Sequence, residues 1–593
     1  MNDKGRTSRI DRELAPVLLF FMVVAMFYGT LSSNFTWHDR PMMDEVSTMS
    51  ASDMPAIFME TLSSPDRDGE KQYRPAARTS ILFDHMLWGA DPKWRHVENI
   101  LLHYIVVLMF YFVVLNAFDD IRIALFSSVL FALHPLAVEP VNSVMARDGM
   151  LAALFMMVAL KALMRARPGH LRWGPVAIFA FALSIFSIES SILLGLFLAL
   201  MFFLSGKGSP RIRASAIVAF LLTAAAYLYL RVHLHWNETY SEFLRPAFWD
   251  RDMYGSTLSE IYKYLTMMTM PFALNVGYAL SPVEVSSLQG MAAISSFTIL
   301  LLAVALPWSP EPLRAASAWI LVFSLPFLNS LPYSSLHISD RYVYLALPGI
   351  CLLTGWAINA LLIRNQYFGS LVLACMLVVL GVETYRQNIV WTDDFTLWDN
   401  AVKRSPVSAY ANYNQGRIHD EIDARAKAIT FYDAAVHSDP MYFAPYFGLG
   451  NLYKRTERYD LAISNYSVAL LLAPDKKWIN LNLGDVYAEK GQWGLAINSY
   501  MRYLEEAPGD PTAHHKIAVA LQGKGDYEGA QEHFDEALSS WPGYAKAHYD
   551  YSQLLLSIDD RESARHELKL ALLIKPEYSE ARKLLKEIEG DIR

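Results

Sequence analysis

Residues 449–474 read LGNLYKRTERYDLAISNYSVALLLAP, and the skeleton of that stretch returns 34 residues later. Leu449-Gly450, Tyr453, Ala462, Tyr466, Ala469 and Pro474 come back as Leu483-Gly484, Tyr487, Ala496, Tyr500 and Pro508. They return more loosely as Ile517-Ala518, Ala530, Phe534, Ala537 and Pro542. Pro406, Pro440, Pro474, Pro508, Pro542 and Pro576 mark the period. This is the tetratricopeptide pattern, one helix–turn–helix per repeat. Small residues let two helices approach and aromatics fill the gap between neighbours. Proline closes the second helix because it cannot continue the hydrogen-bond ladder.

The period predicts five repeats over 407–576 and a capping helix in 577–593, charged on its outer face as such stacks need. Residues 386–406 read as a linker with a degenerate half repeat. First-helix residues should line the inner surface of the stack: Tyr413, Arg417, Phe447, Asn451, Trp478, Asp485, Tyr549 and Gln553. That surface is expected to bind an acceptor protein or peptide in extended form.

Before about residue 385 the composition changes, and apolar residues crowd into runs. A bilayer-crossing helix takes about 20 of them. Candidate spans are 14–31, 99–117, 122–137, 150–163, 173–188, 190–204, 214–230, 292–306, 315–331, 342–362 and 369–383. The chain therefore reads as all-α, with a polytopic membrane domain over 1–385 followed by an α-solenoid. Lys4, Arg6, Arg9 and Arg12 precede the first run, which reads as a retained anchor with a cytoplasmic N-terminus. Basic linkers (Arg165, Arg167 and Arg172; Lys207, Arg211 and Arg213; Arg314; Arg364) mark the cytoplasmic side. Loop 32–95, the 135–149 stretch, the 332–341 loop and the repeats then face outward, periplasmic or lumenal. Segment 258–274 reads as re-entrant, broken at Pro271, because a full crossing there would reverse the later linkers. Short linkers favour a bacterial cytoplasmic membrane over the endoplasmic reticulum.

A net charge of −8 carries no nucleic-acid signal. Cys351 and Cys375 lie in apolar runs and make no disulfide framework. Phosphate-binding glycine loops, zinc-protease and serine-hydrolase signatures are missing from the sequence.

What remains polar near the membrane is costly and so reads as functional. One cluster is His38-Asp39-Arg40 with Asp44-Glu45, directly after the first span. A second holds Tyr73, Arg74, His85, Arg95, His96, Asn99 and His103. The third is HPLAVEPVNSVMARDG, residues 134–149, with His134, Glu139, Arg147 and Asp148. The fourth is Ser339-Asp340-Arg341-Tyr342, with Tyr344 close behind. A carboxylate can take a proton from an attacking hydroxyl, and arginines hold phosphate through paired charged bonds. The inventory suits transfer of a group from a membrane-embedded phosphate. A divalent ion on Asp39 with Asp44 or Glu45 stays open; the histidines lack metal spacing.

In order, the chain shows Trp37-His38-Asp39, YRPAARTSILFDHMLWGADPKWRHVENILLH from Tyr73, HPLAVEPVNSVMARDGMLAAL from His134, YKYLTMMTMPFALNVGYAL from Tyr262, SDRYVYLALPGICLL from Ser339, and then the repeats. This series resembles the transmembrane and tetratricopeptide-repeat-containing O-mannosyltransferases, membrane glycosyltransferases of the GT-C fold. The resemblance implies a polyprenyl-phosphate (or dolichyl-phosphate) mannose donor and a serine or threonine acceptor on a protein. It implies Asp39 as general base, matching one of a usual aspartate pair whose other place is taken by His38. Arg341, with Arg147 and Arg74, would bind donor phosphate; His38, Tyr73, His96, His134, Glu139, Asp148, Asp340 and Tyr344 would line the site. A transferase acting on a glycan or lipid, and a non-enzymatic repeat scaffold, stay open as alternatives.

Overall fold

The structure, a computed structural model, describes residues 3–37, 39–59, 74–144, 146–166, 172–205, 210–235, 251–272, 274–278, 284–325 and 340–590. The regular elements among them are helices. The chain divides into two compact units, Met1–Pro406 and Val407–Arg593.

Among the described residues of the first unit, five helices are long and apolar enough to cross a bilayer: Glu13–Ser32, Pro92–Phe118, Leu288–Ala305, Leu347–Arg364 and Gln366–Val390. A sixth arises if Ile121–Ala132 and Pro135–Asn142, bent by 57°, act as one broken span. The bend falls at His134-Pro135, where proline has no amide hydrogen to give the preceding turn. Fewer helices pass this test than the apolar runs suggest. Trp173–Ser187, Glu189–Leu198 and Ala214–Leu230 are apolar but short. The Arg147–Arg165 helix carries Arg147, Asp148, Lys161 and Arg165. Arg251–Thr269 is helical and stops before Pro271.

Acidic caps start several of the helices, two of them in the membrane-spanning part. Asp91 accepts the Lys93 amide at 2.9 Å, and Asp120 accepts that of Arg122 at 2.8 Å. The Leu347–Arg364 helix approaches Ile121–Ala132 closely at Gly355. A Cβ there would lie 2.7 Å from the backbone nitrogen of Ser127, the close approach that small residues permit in membrane bundles.

The stretch 386–406, expected to be a linker with a half repeat, packs inside the first unit. The Gln366–Val390 helix runs past residue 385 without a break. After a short turn, Asp393 caps Asp394–Arg404 by accepting the Thr396 amide at 2.8 Å. That helix buries Leu397, Trp398 and Ala401, and Trp398 is fully enclosed.

The second unit begins where the period predicts. Five helix pairs run from Ala409–Glu421 with Arg425–Ser438 to Ala545–Ser557 with Arg561–Ile574, followed by Ser579–Gly590. The repeated small residues sit where helices meet. A Cβ on Gly450 would stand 2.6 Å from the Tyr466 ring, and Ala462, Ala469, Ala496, Ala530 and Ala537 are fully buried. Tyr466 is itself buried and donates its hydroxyl to Asn451 at 2.6 Å. Tyr466→Ala removes that ring and the bond, and is expected to cost about 3 to 5 kcal/mol. Thermal melting should show the repeats unfolding several degrees earlier; an unchanged midpoint would refute this packing.

Candidate functional site

The first loop re-enters the first unit directly after the Glu13–Ser32 span. Asp39 opens the Asp39–Ser47 helix and is fully buried. Its Oδ1 accepts the Ser143 hydroxyl at 3.0 Å, and the Thr36 amide points at Oδ2 from 3.5 Å. Ser143 belongs to the 134–149 stretch, so two distant sequence clusters meet at this carboxylate.

Asn99 braces that junction. Its side-chain amide donates to the carbonyls of Val141 and Ser143, at 3.1 and 3.3 Å. Its Oδ1 accepts Arg147 Nε at 2.8 Å. The rest of the Arg147 guanidinium faces Asp84 and, at 3.4 Å, Glu98. Arg74 is held in the same way by Asp148 and, at 3.3 Å, by Glu189. Each of these arginines therefore faces two carboxylates. Such pairs offset the cost of burying both charges, and they leave little of the guanidinium for a phosphate. Arg147→Ala would leave the buried Asp84 with only the more distant Arg95, 4.0 Å away, at an expected cost of up to about 3 to 5 kcal/mol. Detergent-solubilised protein should then melt earlier or aggregate, and a wild-type melting profile would refute the brace.

Arg341 stands differently. Its backbone amide donates to Glu139 Oε2 at 3.1 Å, and its Nε lies 3.8 Å from Glu139 Oε1, beyond hydrogen-bond range. That Nε is buried with no hydrogen-bond partner. The guanidinium lies 5.3 Å over the Trp37 ring and 5.3 Å over that of Tyr342. The cation is held by aromatic stacking, by Tyr342 and by the more distant charges of Glu139 and Asp148 rather than by a close ion pair, which leaves its Nε side for an incoming anion.

Beside it, Asp340 accepts the Tyr278 hydroxyl at 2.7 Å, and Tyr278 accepts the Asn275 amide at 2.7 Å. Lys263 lies 4.2 Å over the Tyr278 ring. Burial first, and the Glu139 charge second, push the Asp340 carboxyl well above its ordinary range, although Tyr278, Lys263 and Arg404 act the other way.

The remaining expected residues are scattered around this centre. His134 Nδ1 accepts the Leu136 amide at 3.3 Å, and its Nε2 lies 3.1 Å from the Met268 carbonyl, so it caps a turn. His96 is fully buried. Tyr344 is buried and its hydroxyl pairs with His103 at 2.8 Å. His38 and Tyr73 lie outside the described residues, as do the side chains of Arg40, Asp44 and Glu45. Among the described residues no three of histidine, cysteine, aspartate and glutamate gather as a metal site.

Sequence reasoning missed Ser143, Asp84, Lys263 and Trp37 as parts of this centre. Asp84 carried a signal, a carboxylate directly after the apolar run Ile81-Leu82-Phe83 of the Pro75–Trp88 helix. Trp37 stands at the head of the Trp37-His38-Asp39 motif, but its partners Arg341, Asp394 and Trp398 lie far along the chain, 357 positions away in the case of Asp394, and could not be read from it.

In the second unit, two residues expected to line the inner surface are taken by the stack itself. Asn451 accepts Tyr466, and Asp485 accepts the Tyr500 hydroxyl at 2.9 Å. Asp485 also pairs with Lys454 at 2.7 Å and with Lys516. Tyr413 packs against Tyr442, with ring centroids 5.6 Å apart, and Arg417 pairs with Glu421. Phe447 meets Trp478 edge-on at 4.6 Å, with Trp478 partly exposed. Gln553 donates to the Tyr549 hydroxyl at 3.1 Å.

These features define a multi-helix membrane protein with a buried acid–arginine centre and a tetratricopeptide solenoid. The family model described as "Tetratricopeptide repeat" matches residues 396–441, 447–511 and 521–588. The chain is similar to proteins named protein O-mannosyl-transferases. With F38B6.6 of Caenorhabditis elegans it is 23% identical over 430 residues, 70% of this chain and 61% of that one. With human TMTC3 it is 22% identical over 439 residues, 65% of this chain and 47% of that one. The chain thus spans about half to three-fifths of the length of these relatives. Among solved structures, YrrB, a tetratricopeptide protein, aligns at a TM-score of 0.29 and 25% identity, covering 32% of this chain and 97% of that one.

Proposed function

We propose that the chain is a membrane glycosyltransferase that moves mannose from a polyprenyl-phosphate donor to serine or threonine hydroxyls of proteins. The observation that carries this reading is the placement of a buried carboxylate and a loosely paired guanidinium around one residue. Trp37 lies two positions before Asp39, and Arg341 lies 5.3 Å over its ring. The names of the relatives supply the sugar and the class of acceptor.

The chemistry follows from the two groups. The acceptor oxygen forms a bond to the anomeric carbon of mannose as the bond from that carbon to the phosphate oxygen breaks. The hydroxyl proton passes to Asp39, and the departing polyprenyl phosphate keeps the bonding electron pair. Arg341 meets the charge that grows on that phosphate. One displacement inverts the anomeric configuration. Arg74 and Arg147 hold the surrounding loops, and the repeats bind the acceptor. The basic linkers support a site on the face opposite the cytoplasm.

The test is mass spectrometry of outer-face proteins with and without the gene, together with transfer from synthetic polyprenyl-phosphate mannose by the purified chain. Loss of hexose from serine and threonine peptides supports the reading. Loss of a glycan or lipid product alone moves the acceptor class. An unchanged glycoproteome and no transfer leave a scaffold and overturn the reading.

A further inference from the structure

Trp37 adopts a left-handed backbone, with φ 54°, a conformation that a bulky residue rarely takes and that costs strain. What holds it comes from the other end of the unit. The Asp394 carboxylate accepts the Trp37 amide at 2.5 Å. Trp398, one turn further along the same helix, meets the Trp37 ring edge-on with centroids 5.8 Å apart. The helix does not need Asp394 as its cap, because Asp393 serves that purpose. Trp398 is fully enclosed and Trp37 nearly so, which fixes both rings.

We infer that Asp394 and Trp398 are positioning residues for the transfer site: they lock Trp37, and through it set Asp39 and the guanidinium of Arg341. This rests on the transferase reading above. Neither residue touches the reacting atoms. Their effect passes through the Trp37 backbone to Asp39, two positions on, and through the Trp37 ring to Arg341. Both groups act on charge that develops in the transition state, so the loss should appear in turnover rather than in donor binding.

The experiment uses the full chain in detergent or nanodiscs, with polyprenyl-phosphate mannose and an acceptor protein. Asp394→Ala is expected to lower kcat about 100-fold while the donor KM moves less than about threefold. Asp394→Asn keeps an acceptor oxygen and should lose about tenfold. Asp399→Asn, a half-exposed change on the same helix that touches only the Lys403 pair, should lose nothing. A second readout needs no activity: amide deuterium exchange over 36–40 should speed up at least about tenfold in Asp394→Ala while 395–404 stays protected. If Asp394→Ala does not fold, Asp394→Asn carries both measurements with the same sign. Folded Asp394 variants with wild-type kcat and wild-type exchange overturn the inference, as does a loss confined to donor KM. If the wild-type chain transfers no mannose, the transferase reading fails, and exchange over 36–40 still decides whether the lock exists.

Discussion

Asp39→Asn is expected to lower mannosyl transfer about a thousandfold or more, with the protein still folded. The substitution is close to isosteric. Asparagine Oδ1 can still accept the Ser143 hydroxyl that Asp39 takes at 3.0 Å, so the junction between the first loop and the 134–149 stretch should survive. What disappears is the basic oxygen that receives the acceptor proton, and a neutral amide cannot replace it. Donor binding should persist, because Asp39 acts on the acceptor hydroxyl and not on the donor. The measurement is single-turnover transfer from labelled polyprenyl-phosphate mannose, with melting as the folding check. Turnover near wild type in folded Asp39→Asn would remove the general base from the scheme and leave positioning by Arg341 as the main contribution.

The second large effect is expected at Arg341. Arg341→Lys keeps the positive charge but loses the planar fork and the stacking over Trp37 and Tyr342, and kcat should fall about 100-fold. Arg341→Ala should fall further. Its Nε lies 3.8 Å from Glu139, outside hydrogen-bond range, so removing the side chain costs less pairing than at Arg147, which faces two carboxylates. Arg341 variants should therefore lose activity with little loss of stability, and Arg147 variants should lose stability first. Polyprenyl phosphate, the leaving product, should inhibit the wild type and inhibit Arg341→Ala at least about tenfold less. The reverse pattern, with Arg341 variants unstable and Arg147 variants stable but inactive, would exchange their roles.

The repeats could be read residue by residue because their contacts are local. Each glycine or alanine meets an aromatic of its own or the adjacent helix, as Gly450 meets Tyr466 and Asn451 accepts its hydroxyl. A fixed period therefore carries the packing with it. The membrane helices were legible as apolar runs, but their lengths were not. A run shows that a segment avoids water and not how far its helix extends: the run 150–163 lies inside a helix that begins at Arg147 and ends at Arg165, and the run 369–383 lies inside Gln366–Val390. Among the expected site residues, Asp39 meets Ser143, Asp340 meets Tyr278, and Glu139 accepts the Arg341 amide. Arg74 and Arg147 could not be told from Arg341 by sequence, since an arginine's task depends on how many carboxylates face it.

The amino-acid sequence alone determined the class of the molecule: an apolar helical half, a solenoid of period 34, and acids and arginines gathered beside the apolar runs. These are properties of composition and spacing, which local physics turns into helices. Only the tertiary structure decided which of those charges neutralise one another, which one stays loosely paired, and that residues 386–406 belong to the first unit. It alone brought Asp394 and Trp398 to Trp37, across 357 positions in the case of Asp394. Contacts of that separation leave no periodic trace, because one hydrogen bond and one pair of rings are enough to make them.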